Sequence, residues 1–143
     1  MLTLGAFLQK NMMVKGSCWE LQVGVNGYAN FDGDELLTQA KSGRNFQLID
    51  DFVKEGTKFL IPKRIKVRLM EDGYLCWLEF AEVENNSFLK KFWEPKLLTY
   101  NQISERIPNI LNWLEQASNI PNKYLWGGTI GPNFDCSGLV QTA

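Results

Sequence analysis

The hydrophobic and polar positions fall into two regimes along the chain. From Trp19 to Val25 apolar and polar residues alternate, the pattern of a half-buried strand. Short runs of the same kind follow at Asn45 to Ile49, Lys58 to Ile61, Ile65 to Met70 and Leu75 to Phe80. Turn residues separate them: Asn26-Gly27, Asp32-Gly33, Glu55-Gly56, Pro62 and Asp72-Gly73. Between the first turns, Asp34 to Lys41 reads as a short helix closed by Gly43. Residues 1–16 carry no clear pattern and are expected to be a loose N-terminal extension. Several short strands with polar turns predict a small β-barrel over residues 17–92.

The period changes near Phe92. Trp93-Glu-Pro95-Lys reads as a linker, residues 93–101, since proline fixes its own φ and restricts the residue before it. Thr99 and Gln102 have the spacing of a capping box. Ile103, Ile107, Ile110, Leu111 and Leu114 then recur at steps of three and four, which predicts an amphipathic helix over 102–117 whose stripe packs on a core. Pro108 sits inside it, so either the helix kinks or a new one starts there. Residues 119–133 are loop text, with Pro121, Gly127, Gly128, Gly131 and Pro132. A second helix opens after Asp135, a favoured N-cap residue. The chain ends about two turns later, so the expectation is a fragment of a larger domain.

Charge narrows the partners. Fifteen basic residues against sixteen acidic ones give a net charge of −1, which argues against nucleic acid. The one basic run, Lys63, Arg64, Lys66 and Arg68, alternates with Ile65 and Val67 and reads as the wet face of a strand. No stretch approaches the ~20 apolar residues that span a bilayer, and the N-terminus makes a poor signal peptide. No membrane and a cytoplasmic location are therefore expected.

The three cysteines, Cys18, Cys76 and Cys136, are far apart and suggest neither disulfides nor a zinc site. Cys18 and Cys76 read as small buried hydrophobes. Cys136 differs. It follows the N-cap, and the unpaired N–H groups and dipole of a helix start favour an anion, the condition a nucleophilic thiolate needs. A Gly-rich loop precedes it and Gly138 follows, so a substrate can approach backbone closely. The same N–H groups suit an oxyanion. On spacing alone an inert cysteine remains the commoner outcome. The chain contains no histidine, so a Cys–His pair cannot be assembled from it.

The segment Tyr124-Leu-Trp-Gly-Gly-Thr-Ile-Gly-Pro-Asn-Phe-Asp-Cys-Ser-Gly-Leu-Val-Gln141 resembles, without a gap, the nucleophile signature of the NlpC family of cysteine peptidases. Its specific parts are Trp126-Gly-Gly and Phe134-Asp-Cys-Ser-Gly. Those are papain-like α+β enzymes that hydrolyse the γ-D-glutamyl bond to a diamino acid in cell-wall peptides. Glu71-Asp-Gly-Tyr74 followed by Trp77-Leu looks like part of the bacterial SH3-like barrel that precedes the peptidase domain in some cyanobacterial members. The resemblance implies an α+β fold class: an SH3-like barrel, then the first part of a papain-like NlpC domain at 102–143, truncated after the nucleophile.

It also implies roles. Cys136 would be the nucleophile and Tyr124 an oxyanion donor. Asp135 and Ser137 would hold the free amino terminus of the substrate, with Asp72 and Tyr74 closing the pocket from the barrel side, and Trp126 would lie among the substrate-binding residues. A pocket of this kind selects short free peptides with N-terminal L-Ala and serves recycling, with no cofactor or metal. Each residue keeps a plainer reading: Asp135 a cap, Ser137 a solvated first-turn residue, Asp72 a turn residue, and Tyr74, Tyr124 and Trp126 packing. The family's catalytic histidine is absent, so the 143 residues alone are expected to be inactive. Two further readings follow for such a chain, a module that binds cell-wall peptides without cutting them and a decayed remnant.

Overall fold

In the computed structural model the described residues are 6–9, 12, 14–50, 54, 55, 58, 59 and 61–143. The chain divides into two compact units, Met1–Trp93 and Glu94–Ala143.

Unit 1 is built of β1 (Cys18–Leu21), β2 (Val25–Tyr28), β3 (Leu36–Ala40), β4 (Asn45–Leu48), β5 (Lys54–Glu55), β6 (Lys58–Phe59), β7 (Arg64–Leu69), β8 (Leu75–Glu79), the one-turn α1 (Phe80–Val83) and β9 (Ser87–Lys90). Seven strands form one antiparallel sheet in the order β3-β2-β8-β7-β4-β1-β9, and β5 and β6 pair separately. The ladder is open, with β3 at one end and β9 at the other. The fold is thus mixed α and β around an open sheet, and the pairing does not show a closed barrel.

Strand alternation decides what is buried. In β7, Ile65, Val67 and Leu69 point inward and are sealed from water, with Trp19, Leu21, Phe46, Leu48 and Leu78 from neighbouring strands. Val83 and Phe80 of α1 and Leu89 of β9 complete the cluster. The indole N–H of Trp19 donates to the Ser17 hydroxyl at 2.8 Å, so the ring is buried without stranding its polar edge. Cys18 and Cys76 are both buried thiols in this unit.

The segment at 6–9 is docked on the sheet. Leu8 is fully buried, its N–H donates to the Ser87 carbonyl at 2.8 Å, and Phe7 stacks on Phe88 with ring centroids 4.2 Å apart. A four-residue segment has too little length to carry a legible period.

Three local expectations are corrected. Residues 36–40 form β3, not a helix: they pair with β2 through Val25↔Ala40 and Gly27↔Thr38, and burying Thr38 and Ala40 on one face outweighs the helix preference of the segment. Asn26-Gly27 lies within β2, not in a turn. A Cβ on Gly27 would meet Cys76 Sγ and Thr38 Cγ2, each at 2.9 Å, so the glycine serves close strand packing. The stretch expected as one strand over 19–25 is broken at residues 22–24 into β1 and β2.

Unit 2 contains α2 (Tyr100–Ser118) and α3 (Cys136–Thr142). The capping box at the start of α2 is complete. The Gln102 N–H donates to the Thr99 hydroxyl at 3.3 Å, and the Thr99 N–H donates to the Gln102 side-chain oxygen at 2.9 Å. The helix passes through Pro108 as one element. None of its residues is buried. Among the described residues, no helix is long and apolar enough to cross a membrane.

Candidate active site

Cys136 opens α3 and is exposed. Its position follows from Asp135, which has extended backbone and caps the helix. One Asp135 carboxylate oxygen accepts from the Gly138 N–H at 2.6 Å and from the Ser137 hydroxyl at 2.9 Å. The other accepts from the Gly127 N–H at 2.8 Å. This is a helix cap that also reaches back to the preceding loop. The Gly138 N–H, first, and then the Ser137 hydroxyl and Gly127 N–H hold the Asp135 carboxyl below the usual carboxylate range.

The loop is fixed against the helix start by its own backbone. The Asp135 N–H donates to the Gly128 carbonyl at 3.2 Å and the Leu125 N–H to the Phe134 carbonyl at 3.2 Å. The Lys123 N–H donates to the Asn133 side chain at 2.8 Å. At the other end of α3 the Thr142 hydroxyl donates to the Thr129 carbonyl at 2.8 Å. The glycines make this closeness sterically allowed. Gly127 has φ +73°, in the left-handed region. A Cβ on Gly138 would overlap the Gly128 carbonyl oxygen, so the first turn of α3 rests directly on loop backbone.

Beside Cys136 lies a groove of about 460 Å³. Its walls are Leu114 and Ala117 of α2, Phe134 from the loop, and Leu139 of α3. Polar groups enter it from Ser118, Asn122, Tyr124 and Asp135. The Trp113 ring meets Phe134 edge-on at 5.9 Å between centroids, bracing the loop against α2. Among the described residues, no protein group accepts from the Cys136 N–H. An exposed thiol, a backbone donor at a helix start and an apolar cleft therefore meet at one place, three of the elements that attack on an acyl carbon uses.

The residues singled out in the sequence are placed unevenly. Cys136, Asp135 and Tyr124 line the one groove. Ser137 is adjacent, but its hydroxyl is committed as a donor to Asp135. Trp126 is 67% exposed and is not part of the groove wall. Asp72 and Tyr74 belong to unit 1. There the Asp72 carboxylate takes an ion pair from Arg44 at 2.8 Å and a hydrogen bond from the Tyr74 N–H at 3.1 Å. Asp72 is thus engaged within unit 1, by Arg44 and by its own turn, and the Tyr74 ring is half exposed.

Two features were missed in the sequence. The Gly127 N–H is a partner of Asp135 eight residues away, and no local spacing rule points to it. Ala117 and Leu139 as groove walls were within reach, since Leu114 and Ala117 are one turn apart on a helix. No protein-family model matches the chain, and no curated protein matches it in sequence.

Proposed function

We propose that Cys136 is the nucleophile of a cysteine peptidase resembling the NlpC type, acting on the γ-D-glutamyl bond to a diamino acid in short cell-wall peptides. One observation carries the reading: Cys136 is exposed at the first turn of a capped helix, on the rim of a groove it shares with Tyr124. The thiolate attacks the amide carbonyl carbon. The Cys136 N–H and the Tyr124 hydroxyl are the donors for the oxygen that becomes negative. The amine leaves with a proton, and water hydrolyses the thioester.

The Asp135 carboxylate already accepts from the Gly138, Gly127 and Ser137 N–H groups and from the Ser137 hydroxyl. Its negative charge still favours a substrate ammonium nearby, with the Ser137 oxygen as an acceptor. On this reading unit 1 is an SH3-like barrel, supported by its short antiparallel strands and polar turns, and the substrate carries a free L-Ala terminus. Selection of free peptides would place the work in cytoplasmic recycling. These 143 residues contain no histidine, so a histidine proton acceptor for the thiol would have to come from another segment or chain.

The test is hydrolysis of L-Ala-γ-D-Glu-diaminopimelate by the complete gene product. Cleavage that disappears in Cys136→Ser supports the proposal. No cleavage, or cleavage that survives the substitution, sinks it. The missing histidine favours a second reading for the 143-residue chain itself, a peptide-binding module without turnover. Calorimetry with the same tripeptide decides it: no heat at millimolar ligand would end that reading.

A further inference from the structure

The outer face of the unit 1 sheet carries a second candidate site, independent of Cys136. Because Ile65, Val67 and Leu69 point into the core, Arg64, Lys66 and Arg68 point out on the same strand. Register sets them beside β8: Arg64 opposite Glu79, Lys66 opposite Trp77, and Arg68 opposite Leu75.

The three cations have different fates. Arg64 is 3% exposed. It is neutralised by Glu79 at 2.8 Å, donates to the carbonyls of Asn30 and Gly33, and lies 3.7 Å over the Tyr28 ring. It is a buried clamp on the 30–33 turn. Lys66 and Arg68 have no acidic partner among the described residues. The ion pairs found there join Arg44 to Glu71 and Asp72, Lys63 to Asp32, Arg64 to Glu79, and Lys90 to Glu20. The Lys66 ammonium stands 5.8 Å from the Trp77 ring centroid, a cation–π contact that leaves its hydrogens available. The Trp77 ring is itself braced by the edge of Phe31, with centroids 5.5 Å apart. Phe31 and Leu75 are exposed beside it.

We propose that this face binds a short acidic peptide in extended form, with carboxylates on alternate residues meeting Lys66 and Arg68 beside the Trp77 ring. Spacing supports the choice. Lys66 and Arg68 are two residues apart on a strand, about 7 Å, and alternate side chains of an extended peptide recur at the same interval. Charge supports a peptide over a nucleic acid. Two cations with no acidic partner among the described residues, on a chain of net charge −1, match two carboxylates, but they are too few to hold a polyphosphate backbone at moderate salt.

The experiment titrates the whole chain with Ac-Glu-Leu-Glu-Leu-amide at low salt, observing indole and backbone amide NMR signals. Signals of Trp77, Lys66 and Arg68 are expected to move together, with affinity near about 1 mM. The Lys66→Gln/Arg68→Gln variant should bind about tenfold more weakly, the sum of two exposed ion pairs. A Lys66→Glu/Arg68→Glu variant should lose the acidic peptide and gain Ac-Lys-Leu-Lys-Leu-amide. Both residues lie on the outer strand face, and retained dispersion of the core signals verifies the fold. Equal binding of the uncharged Ac-Gln-Leu-Gln-Leu-amide, no change in the double variants, or preferential binding of oligothymidylate would overturn the proposal.

Discussion

In unit 1 the side chains of Trp19, Phe46, Leu48, Val67 and Leu69 are sealed together by paired strands, whereas α2 of unit 2 buries none of its nineteen residues. Within unit 2 the buried residues are Gly127, Gly128, Thr129 and Gly138, and at Gly128 and Gly138 backbone packs on backbone. Unit 1 is therefore held by apolar burial, at roughly 25 cal/mol per Å². Unit 2 is held by caps and loop hydrogen bonds, which are each worth about 1 kcal/mol net. The apolar stripe of α2 remains on the surface at Ile103, Ile107 and Leu111. Local signals thus suffice to shape a helix, but they do little to anchor it.

The largest contrast should appear in thiol chemistry. Burial pushes the Cys76 thiol up to about 12, so at pH 8 its thiolate fraction is on the order of 10⁻⁴ from that displacement alone. Burial raises Cys18 as well. Cys136 is exposed. Iodoacetamide at pH 8, read by peptide mass spectrometry, is expected to modify Cys136 at least about 10³ times faster than Cys76. Comparable rates would mean that unit 1 opens easily and that the comparison is wrong.

Core truncation should be next. Phe46→Ala is expected to cost unit 1 about 3–5 kcal/mol in chemical denaturation, the range for a buried aromatic. Leu111→Ala, at 60% exposure, should shift stability by no more than about 0.5 kcal/mol. A large loss at Leu111 would show that the α2 stripe is covered in solution.

Pro108 offers a gain of similar kind in unit 2. It removes the hydrogen bond to the Ser104 carbonyl in mid-helix, and α2 has no buried contacts to offset that. Pro108→Ala should raise local helix stability by up to about 3 kcal/mol, seen as slower amide exchange across 105–112. Unchanged exchange would mean that the proline turn is held by something other than helix propensity.

The same division explains what the sequence made legible. The capping box of Thr99 and Gln102, the steps of three and four along α2, and the Asp135 cap ahead of Cys136 are all local, so spacing alone exposed them. The alternation of β7 was equally plain because a strand face repeats every second residue. Other features depended on contacts distant in sequence. Gly27 reads as a turn until Cys76, on another strand, is seen to leave no room for a Cβ. Arg64 reads as a wet-face cation until Glu79 and the carbonyls of Asn30 and Gly33 surround it. Segment 36–40 has helix-compatible residues, and only pairing with β2 turns it into a strand. At the site, the place of Cys136 at a helix start was legible from the Asp135 cap. The Asp135–Gly127 bond and the Arg44–Asp72 pair, which decide how free those carboxylates are, were not.

Acid should separate the units with the smallest and most local effect. The Asp135 carboxyl is lowered by the Gly138 N–H and its other donors, so its bonds stabilise the loop above the ordinary aspartate value of about 3.9 and are lost as pH falls below it through the depressed one. Glu20 in unit 1 is lowered chiefly by Lys90 and obeys the same sign, but the core around it does not depend on that pair. As pH falls below about 3.9 and through the depressed value, the amide signals of Gly127 and Gly138 are expected to shift and lose exchange protection while those of β1 and β4 stay protected. Asp135→Ala should reproduce the loosened loop at neutral pH, at a cost of about 0.5–2 kcal/mol for a lost cap, and should remove the acid response of the two glycines. If β1 and β4 lose protection over the same range, stability in unit 1 rests on its surface ion pairs, and burial is not what distinguishes the two halves.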